Sequence, residues 1–372
     1  MRLKDFAVLA QNLAPTELAL DWDNSGLQVG SWDQPVTRIG LALEATTAAA
    51  AQAAAAGCDL LLTHHPLIFR PLKKIDPQNG PGAVIAAALA AGLAIYTLHT
   101  NWDQAGQGVA RALADLLELT DLRPLAAAAR DYYKVVVFVP VGHEEKVKEA
   151  LFEAGAGALG GYERTWFAAP GEGGFQVPLQ GRPFIGRPGE ETRTPESRLE
   201  VLVPLSLADE AALAVRRSHP YEAPAFELHP VKIYGPGQGL GLLGRWSPPR
   251  DLLAELRRRP EFPAFKWAGP EPGRVSRLAL LPGSGGDCLE LAHRLGAEAF
   301  LTGDAGYHQA RTAEDLGLTL VDLGHFETEW PGLVRLGRLL AEALAGQGDG
   351  VTCRVLDQPP AWRHVSGGGP GE

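Results

Sequence analysis

Cysteine is scarce. The chain has three, Cys58, Cys288 and Cys353, far apart and without any C-x-x-C pair. That excludes a disulfide framework and a thiolate zinc site, and leaves all three to be read as small buried hydrophobes. Positive charge is also short, with 34 Lys and Arg against 44 Asp and Glu, a net charge of −10 and a pI near 5.5. No global field exists to hold a phosphate backbone, so nucleic-acid binding is disfavoured. The local run Arg257-Arg258-Arg259 reads as a solvated helix end. Long apolar runs are missing as well: the longest small or apolar stretch, 83–96, covers 14 positions, half of them alanine. A membrane span needs about 18 to 20.

The N-terminus has no basic segment, apolar block and cleavage site in succession; Leu3, Phe6, Leu9, Ala10 and Leu13 fall instead at helical spacing. The expectation is a first helix and a cytoplasmic protein without membrane attachment. Two further absences narrow the chemistry. There is no G-x-x-x-x-G-K-[ST] and no strand-linked G-x-G-x-x-G, so a standard nucleotide phosphate loop is unsupported. There is no G-x-S-x-G, and Ser25 has no obvious base, which speaks against a serine hydrolase.

What is abundant is glycine and proline, 44 and 29 of 372 residues. Together they make about a fifth of the chain against a usual share of about 12%, which predicts many turns and a loop-rich insert. At roughly 150 residues per domain, the length suggests two or three domains.

Strand-like and helix-like segments alternate over the first 125 residues. Strands are expected at 38–43, 59–63 and 93–98, with helices at 46–56, 82–91 and 108–117. The last 100 residues repeat the pattern, with strands at 277–281, 299–301 and 318–323 and helices at 286–295, 306–316 and 329–345. Such alternation implies parallel strands with crossover helices, and the two ends read as halves of one α/β domain. The middle differs. KVVVFVP, an amphipathic helix, a Gly/Pro/aromatic stretch, RLEVLVPL, a second helix and HPYEAPAFELHPV give the order of a ferredoxin-like split βαβ unit. The fold class is therefore α/β, a split α/β domain at 1–128 and 233–372 with an inserted ferredoxin-like α+β domain at 129–232. A Gly-rich turn, YGPGQGLGLLG, is expected on the way back.

In open parallel sheets, functional side chains gather beyond the C-terminal ends of strands. Three such ends are rich in them: His64-His65 after DLLLT, His99 to Asp103 after LAIYTL, and Gly324-His325 to Glu329 after LTLVDL. His325 and Glu329 are four apart, so a helix beginning near Gly324 puts them on one face, aimed at one ion. Imidazoles and carboxylates without thiols suit zinc, iron or manganese, whereas calcium and magnesium favour all-oxygen shells. Five ligands, His64, His65, Asp103, His325 and Glu329, exceed what one catalytic ion takes from protein, and two divalent metal ions are the better count. His99 is read as a partner that orients the site or transfers protons in preference to a direct ligand, with His308 the other catalytic candidate. Asp304 and His308, in LTGDAGYH, read equally as groups that orient the site or bind substrate, or as a helix cap and a surface histidine. WDNSGLQVG, 22–30, reads as a turn or as part of a pocket wall.

With WDNSGLQVG (22–30), LLLTHHPLIF (60–69), LHTNWDQAGQGV (98–109), LTGDAGYHQA (301–310) and LGHFETEWPGL (323–333) in order, the sequence resembles the NIF3-like dinuclear metal-centre family, the GTP cyclohydrolase 1 type 2 homologues. The resemblance implies that His64, His65, Asp103, His325 and Glu329 hold two divalent metals. It also implies a homo-oligomer, a toroidal hexamer with the sites facing its cavity. The middle segment resembles the PII- and CutA-like insert of the longer members through 134–163, 183–190 and HPYEAPAFEL at 219–228. Ala223 departs from it, standing where that pattern often has a second acidic residue. The HPYE run reads as a structural corner in preference to a ligand site.

The leading functional expectation is a metal-dependent hydrolase with a small-molecule substrate, with opening of the GTP imidazole ring as the activity implied by resemblance. The alternatives are a phosphoester or nucleotide hydrolase, and a non-enzymatic metal-binding regulatory or chaperone-like hexamer.

Overall fold

The computed structural model describes residues 1–159, 162–348 and 350–362. The chain divides into two units, Met1–Ala128 with Pro236–Glu372, and Ala129–Gly235.

The first unit starts with α1 (Leu3–Leu13), whose Leu3, Phe6, Leu9 and Ala10 are buried as their helical spacing predicts. There follow β1 (Gly26–Val29), β2 (Arg38–Ala42), α2 (Thr47–Ala55), β3 (Leu60–Thr63), α3 (Gly80–Ala90), β4 (Ala94–Thr97), the single turn α4 (Thr100–Asp103) and α5 (Val109–Leu116). The Thr46 side chain caps α2 by accepting the Ala49 N–H. Strand β5 (Thr120–Pro140) enters the second unit, which continues with α6 (Glu144–Glu153), β6 (Phe167–Gln176), β7 (Glu191–Pro204) and α7 (Ala208–Ser218). Strand β8 (Phe226–Asp251) returns, followed by α8 (Leu252–Arg257), β9 (Lys266–Ala268), β10 (Arg274–Ser284), α9 (Leu289–Arg294), β11 (Ala299–Gly303), α10 (Tyr307–Leu316), β12 (Thr319–Asp322), α11 (His325–Gln347) and β13 (Thr352–Val355).

Two sheets build the first unit. One has the order β1-β4-β3-β2-β13, parallel except for β1 at its edge. The last strand among the described residues, β13, thus pairs beside β2, which joins N-terminal and C-terminal segments in one sheet. In the other, β10, β11 and β12 are parallel, flanked by antiparallel β8 and β9. Helix α11 packs against α5 and against strands of both sheets, so it lies between them. Alanine and small aliphatic side chains of α2 and α3 cover the outer face of the first sheet with Leu61 and Ile95. Their small size lets those helices sit close. The C-terminal ends of β2, β3, β4, β10, β11 and β12 supply the site described below.

Local differences from expectation have physical causes. Helix α11 begins at His325, not Glu329, and Pro331 lies inside it. A proline there removes one early helical hydrogen bond without stopping the helix. The Gly-rich 234–244 is extended strand, not a turn. Its glycines admit close strand approach: a Cβ on Gly239 would lie 2.3 Å from the Ala126 carbonyl, and Gly237 and Gly241 have φ of +67° and +62°.

In the second unit the strands lie in the order β6-β7-β5-β8, with β6 and β5 each antiparallel to β7. Val135, Val137, Val139, Leu199, Val201 and Val203 alternate inward to pack on Val147, Leu151, Ala211 and Val215 of α6 and α7. Strand β7 starts earlier than RLEVLVPL because it pairs with β6 from Phe167↔Glu200 to Gln176↔Glu191. Pro170 is tolerated in β6 because that strand is an edge. No helix among the described residues is long and apolar enough to cross a membrane.

Candidate metal centre

Strand β3 carries its backbone pairing past Thr63. The His64 and His65 N–H groups donate to Ala42 and Leu43 at 3.2 and 2.8 Å. This fixes His64 inside the unit, 1% exposed. Its Nδ1 lies 2.9 Å from the Leu98 carbonyl oxygen. A carbonyl only accepts, so Nδ1 carries the proton and Nε2 is the open nitrogen. That Nε2 is buried without a hydrogen-bond partner, 3.5 Å from Asp103 Oδ1 and 3.7 Å from Glu329 Oε1. Glu329 comes from one turn into α11 and is 5% exposed. Its Oε2 approaches His65 Nε2 to 3.0 Å, yet without hydrogen-bond alignment, and has no partner.

The other side of the cluster is built by β11 and β12. His325 opens α11 and its Nε2 stands 3.1 Å from Glu329 Oε1 and 3.3 Å from His65 Nε2. Its Nδ1 donates to Asp304 Oδ2 at 2.7 Å. Asp304 follows β11 with φ +53°, a left-handed conformation that a non-glycine residue rarely adopts and that is found at functional sites. This settles the open reading of Asp304: it orients His325. Gly283, at φ +65°, clears the space for the carboxylate, since a Cβ there would lie 2.4 Å from Glu329 Oε1.

Burial would lower the imidazole pKa values, but neighbouring carboxylates outweigh it. Glu329 and Glu44 push His65 up to about 10, and Glu329 and Asp304 push His325 up to about 9. His64 is raised against its burial by Asp103 and Glu329. Burial raises Asp103, while Glu329 is held well below the carboxylate range despite burial by the three imidazoles around it. The common meaning is that these atoms need positive charge among them, a proton or a metal cation. The partnerless buried His64 Nε2 and Glu329 Oε2, with the far imidazole nitrogens already tied down, fit a divalent cation.

Nitrogen and oxygen atoms converge in two overlapping groups that share His65: His64, His65 and His99, and His65, His325 and Glu329, each within 4.8 Å. His99 Nδ1 lies 2.7 Å from Asp23 Oδ1. Asp23 Oδ2 accepts from the Ser25 hydroxyl and from the Thr100 hydroxyl and N–H at 2.8, 2.6 and 3.1 Å. Burial would raise the Asp23 carboxyl, but the imidazole and hydroxyls hold it well below its ordinary value. WDNSGLQVG is thus a short turn, 22–25, running into β1, and the turn places Asp23 against His99.

His308 is not brought to the cluster. It is exposed on the first turn of α10, its ring edge-on to Tyr307. His219, in the second unit, has Nε2 on the Phe138 carbonyl at 2.9 Å and Nδ1 accepting the Tyr221 N–H at 3.0 Å, so HPYE is a structural corner.

Sequence reasoning missed Glu44 and Asp23. Glu44 Oε1 lies 3.4 Å from His65 Nδ1, and its Oε2 accepts from Gln358 Nε2 at 2.6 Å. Gln358 Oε1 in turn accepts the Leu43 N–H at 2.8 Å. Glu44 sits just past the end of β2, so the strand-end rule that found the histidines also points to it.

The profile of the Duf34/NIF3 family, NGG1p interacting factor 3, matches residues 1–360. A Halalkalibacterium halodurans protein named GTP cyclohydrolase 1 type 2 homolog is 35% identical over 321 residues, 85% of this chain and 86% of that one. The Bacillus subtilis protein of the same name is 35% identical over 323 residues, 86% of each. The crystal structure of a Bacillus cereus protein related to NIF3 has 32% identity and a TM-score of 0.78, covering 98% of this chain and 99% of that one.

Proposed function

The chain belongs to the Duf34/NIF3 family, and on that premise we propose that it is a dinuclear metal-binding protein acting as a metal-dependent hydrolase. The observation that carries the reading is the buried, partnerless His64 Nε2 facing the Asp103 and Glu329 carboxylates with its Nδ1 already committed to Leu98. His64, His65, Asp103, His325 and Glu329 would hold two divalent ions, and an all-imidazole and carboxylate set suits zinc, iron or manganese. When bound, such ions supply Lewis acidity and activate water at neutral pH.

The protein's own groups do the remaining work. Asp304 and Glu44 fix the rings of His325 and His65, which sets which nitrogen each presents. His99, its Nδ1 held by Asp23, keeps Nε2 for moving a proton at the cluster. The names of the relatives point to opening of the GTP imidazole ring, with phosphoester hydrolysis as the competing reaction of the same residues.

Incubation of the metal-loaded protein with GTP and a panel of phosphoesters distinguishes them. Formate release supports the cyclohydrolase, inorganic phosphate the phosphoester hydrolase. Metal occupancy without either product contradicts both and supports a non-enzymatic regulatory hexamer. The same reading includes a homohexameric assembly, tested by mass in solution. It takes the βαββαβ unit as a PII- and CutA-like ferredoxin-like insert, supported by its strand order β6-β7-β5-β8.

A further inference from the structure

A cavity of about 870 Å3 opens beside His65 and His325, and Glu327 lies on its wall. Glu327 is the third residue of α11, where an acidic side chain ordinarily turns back to accept the N–H of the residue preceding the helix. Here that N–H, on Gly324, donates to Asp322 Oδ1 at 2.9 Å, so the cap is already filled. Glu327 still bends over Gly324. A Cβ at that position would lie 2.1 Å from Glu327 Oε2, and the φ of +95° also calls for glycine. The carboxylate is therefore seated by the backbone, and it has no hydrogen bond or ion pair among the described residues.

The wall around it is aromatic, with Phe265, Phe326 and Trp362. Phe326 is stacked on Trp330 at 5.0 Å and 18°, which fixes its plane. The nearby cation is engaged: Lys266 Nζ pairs with Asp322 Oδ2 at 3.1 Å and donates to the Ala305 carbonyl at 3.0 Å. A free carboxylate offers two acceptor oxygens, and flat apolar walls favour a flat ligand.

We propose that this cavity binds a planar nitrogen heterocycle presenting two adjacent N–H donors, and that Glu327 is the residue that selects it. The proposal rests on the reading of the neighbouring histidine cluster as a centre that processes a substrate.

The test is equilibrium binding of guanosine, inosine and adenosine to the full-length protein, by calorimetry and without turnover. Guanosine offers two adjacent N–H donors, inosine one, and adenosine no such pair. Bidentate recognition of a base edge discriminates by about 1–3 kcal/mol, so guanosine should bind about tenfold or more tighter than the others. Glu327→Gln should erase that order with the fold unchanged by circular dichroism. Phe265→Ala should weaken all three alike. Equal affinity for the three nucleosides, no binding, or an order preserved in Glu327→Gln overturns the proposal. Ordered binding in a protein that releases neither formate nor phosphate contradicts only the hydrolase reading; turnover with the order preserved in Glu327→Gln contradicts only this one.

Discussion

His64 and Leu98 are joined by a 2.9 Å contact from an imidazole Nδ1 to a backbone carbonyl oxygen, and that contact decides which nitrogen His64 presents to Asp103 and Glu329. Because the acceptor is backbone, no side-chain substitution at position 98 removes it. Leu98→Val is expected to leave metal binding intact, whereas His64→Gln should lower metal affinity by a hundredfold or more, read by competition with a chelator. Equal affinity in the two variants would contradict the assignment.

Asp304 holds His325 Nδ1 at 2.7 Å while standing outside the converging groups itself. Loss of a carboxylate that orients a ligating histidine typically costs 10- to 100-fold in metal affinity. Asp304→Asn should show a loss of that size and retain the fold. A loss as complete as that of His325→Ala would make Asp304 a direct ligand instead.

Gly283 leaves room for Glu329, and its φ of +65° favours glycine. Gly283→Ala should therefore displace the carboxylate and destabilise the protein by more than about 1 kcal/mol. Chemical denaturation together with metal stoichiometry checks this; an unchanged stoichiometry would show that Glu329 is not needed in its place.

The metal-free protein should lose stability toward alkaline pH. His65 and His325 have folded pKa values of about 10 and about 9, above the ordinary imidazole value near 6.5. Their contribution is full below about pH 6.5 and is lost as pH rises through 9 and 10. Glu329, depressed, contributes above the ordinary carboxylate range and loses this as pH falls. The melting temperature of the metal-free protein is expected to fall by a few degrees between pH 7 and pH 10. A flat profile over that range would contradict the charge assignment.

The parallel strands and the histidines at their ends were legible because buried strands of Leu and Ile, such as LLLT and AIYT, leave few other readings. His325 and Glu329 were legible from their place at a strand end together with their spacing of four. Asp23 was not, because it is a single carboxylate in an ordinary turn whose partner lies on another strand end, and Glu44, though just past a strand end, has no second ligand-type residue beside it to single it out. The extended run through Gly237, Gly239 and Gly241 was hidden for a different reason. Glycine that admits a close neighbour and glycine that makes a turn look alike until the neighbour, here Ala126, is known. His308 shared a motif with Asp304, but the helix that follows turns it outward.

The most direct measurement is metal content by elemental analysis of the loaded wild-type protein and of the His64→Ala/His325→Ala double variant. About two divalent ions per chain are expected in the wild type and almost none in a still-folded variant. Undiminished two-metal stoichiometry in the variant, or none in the wild type, would contradict that expectation.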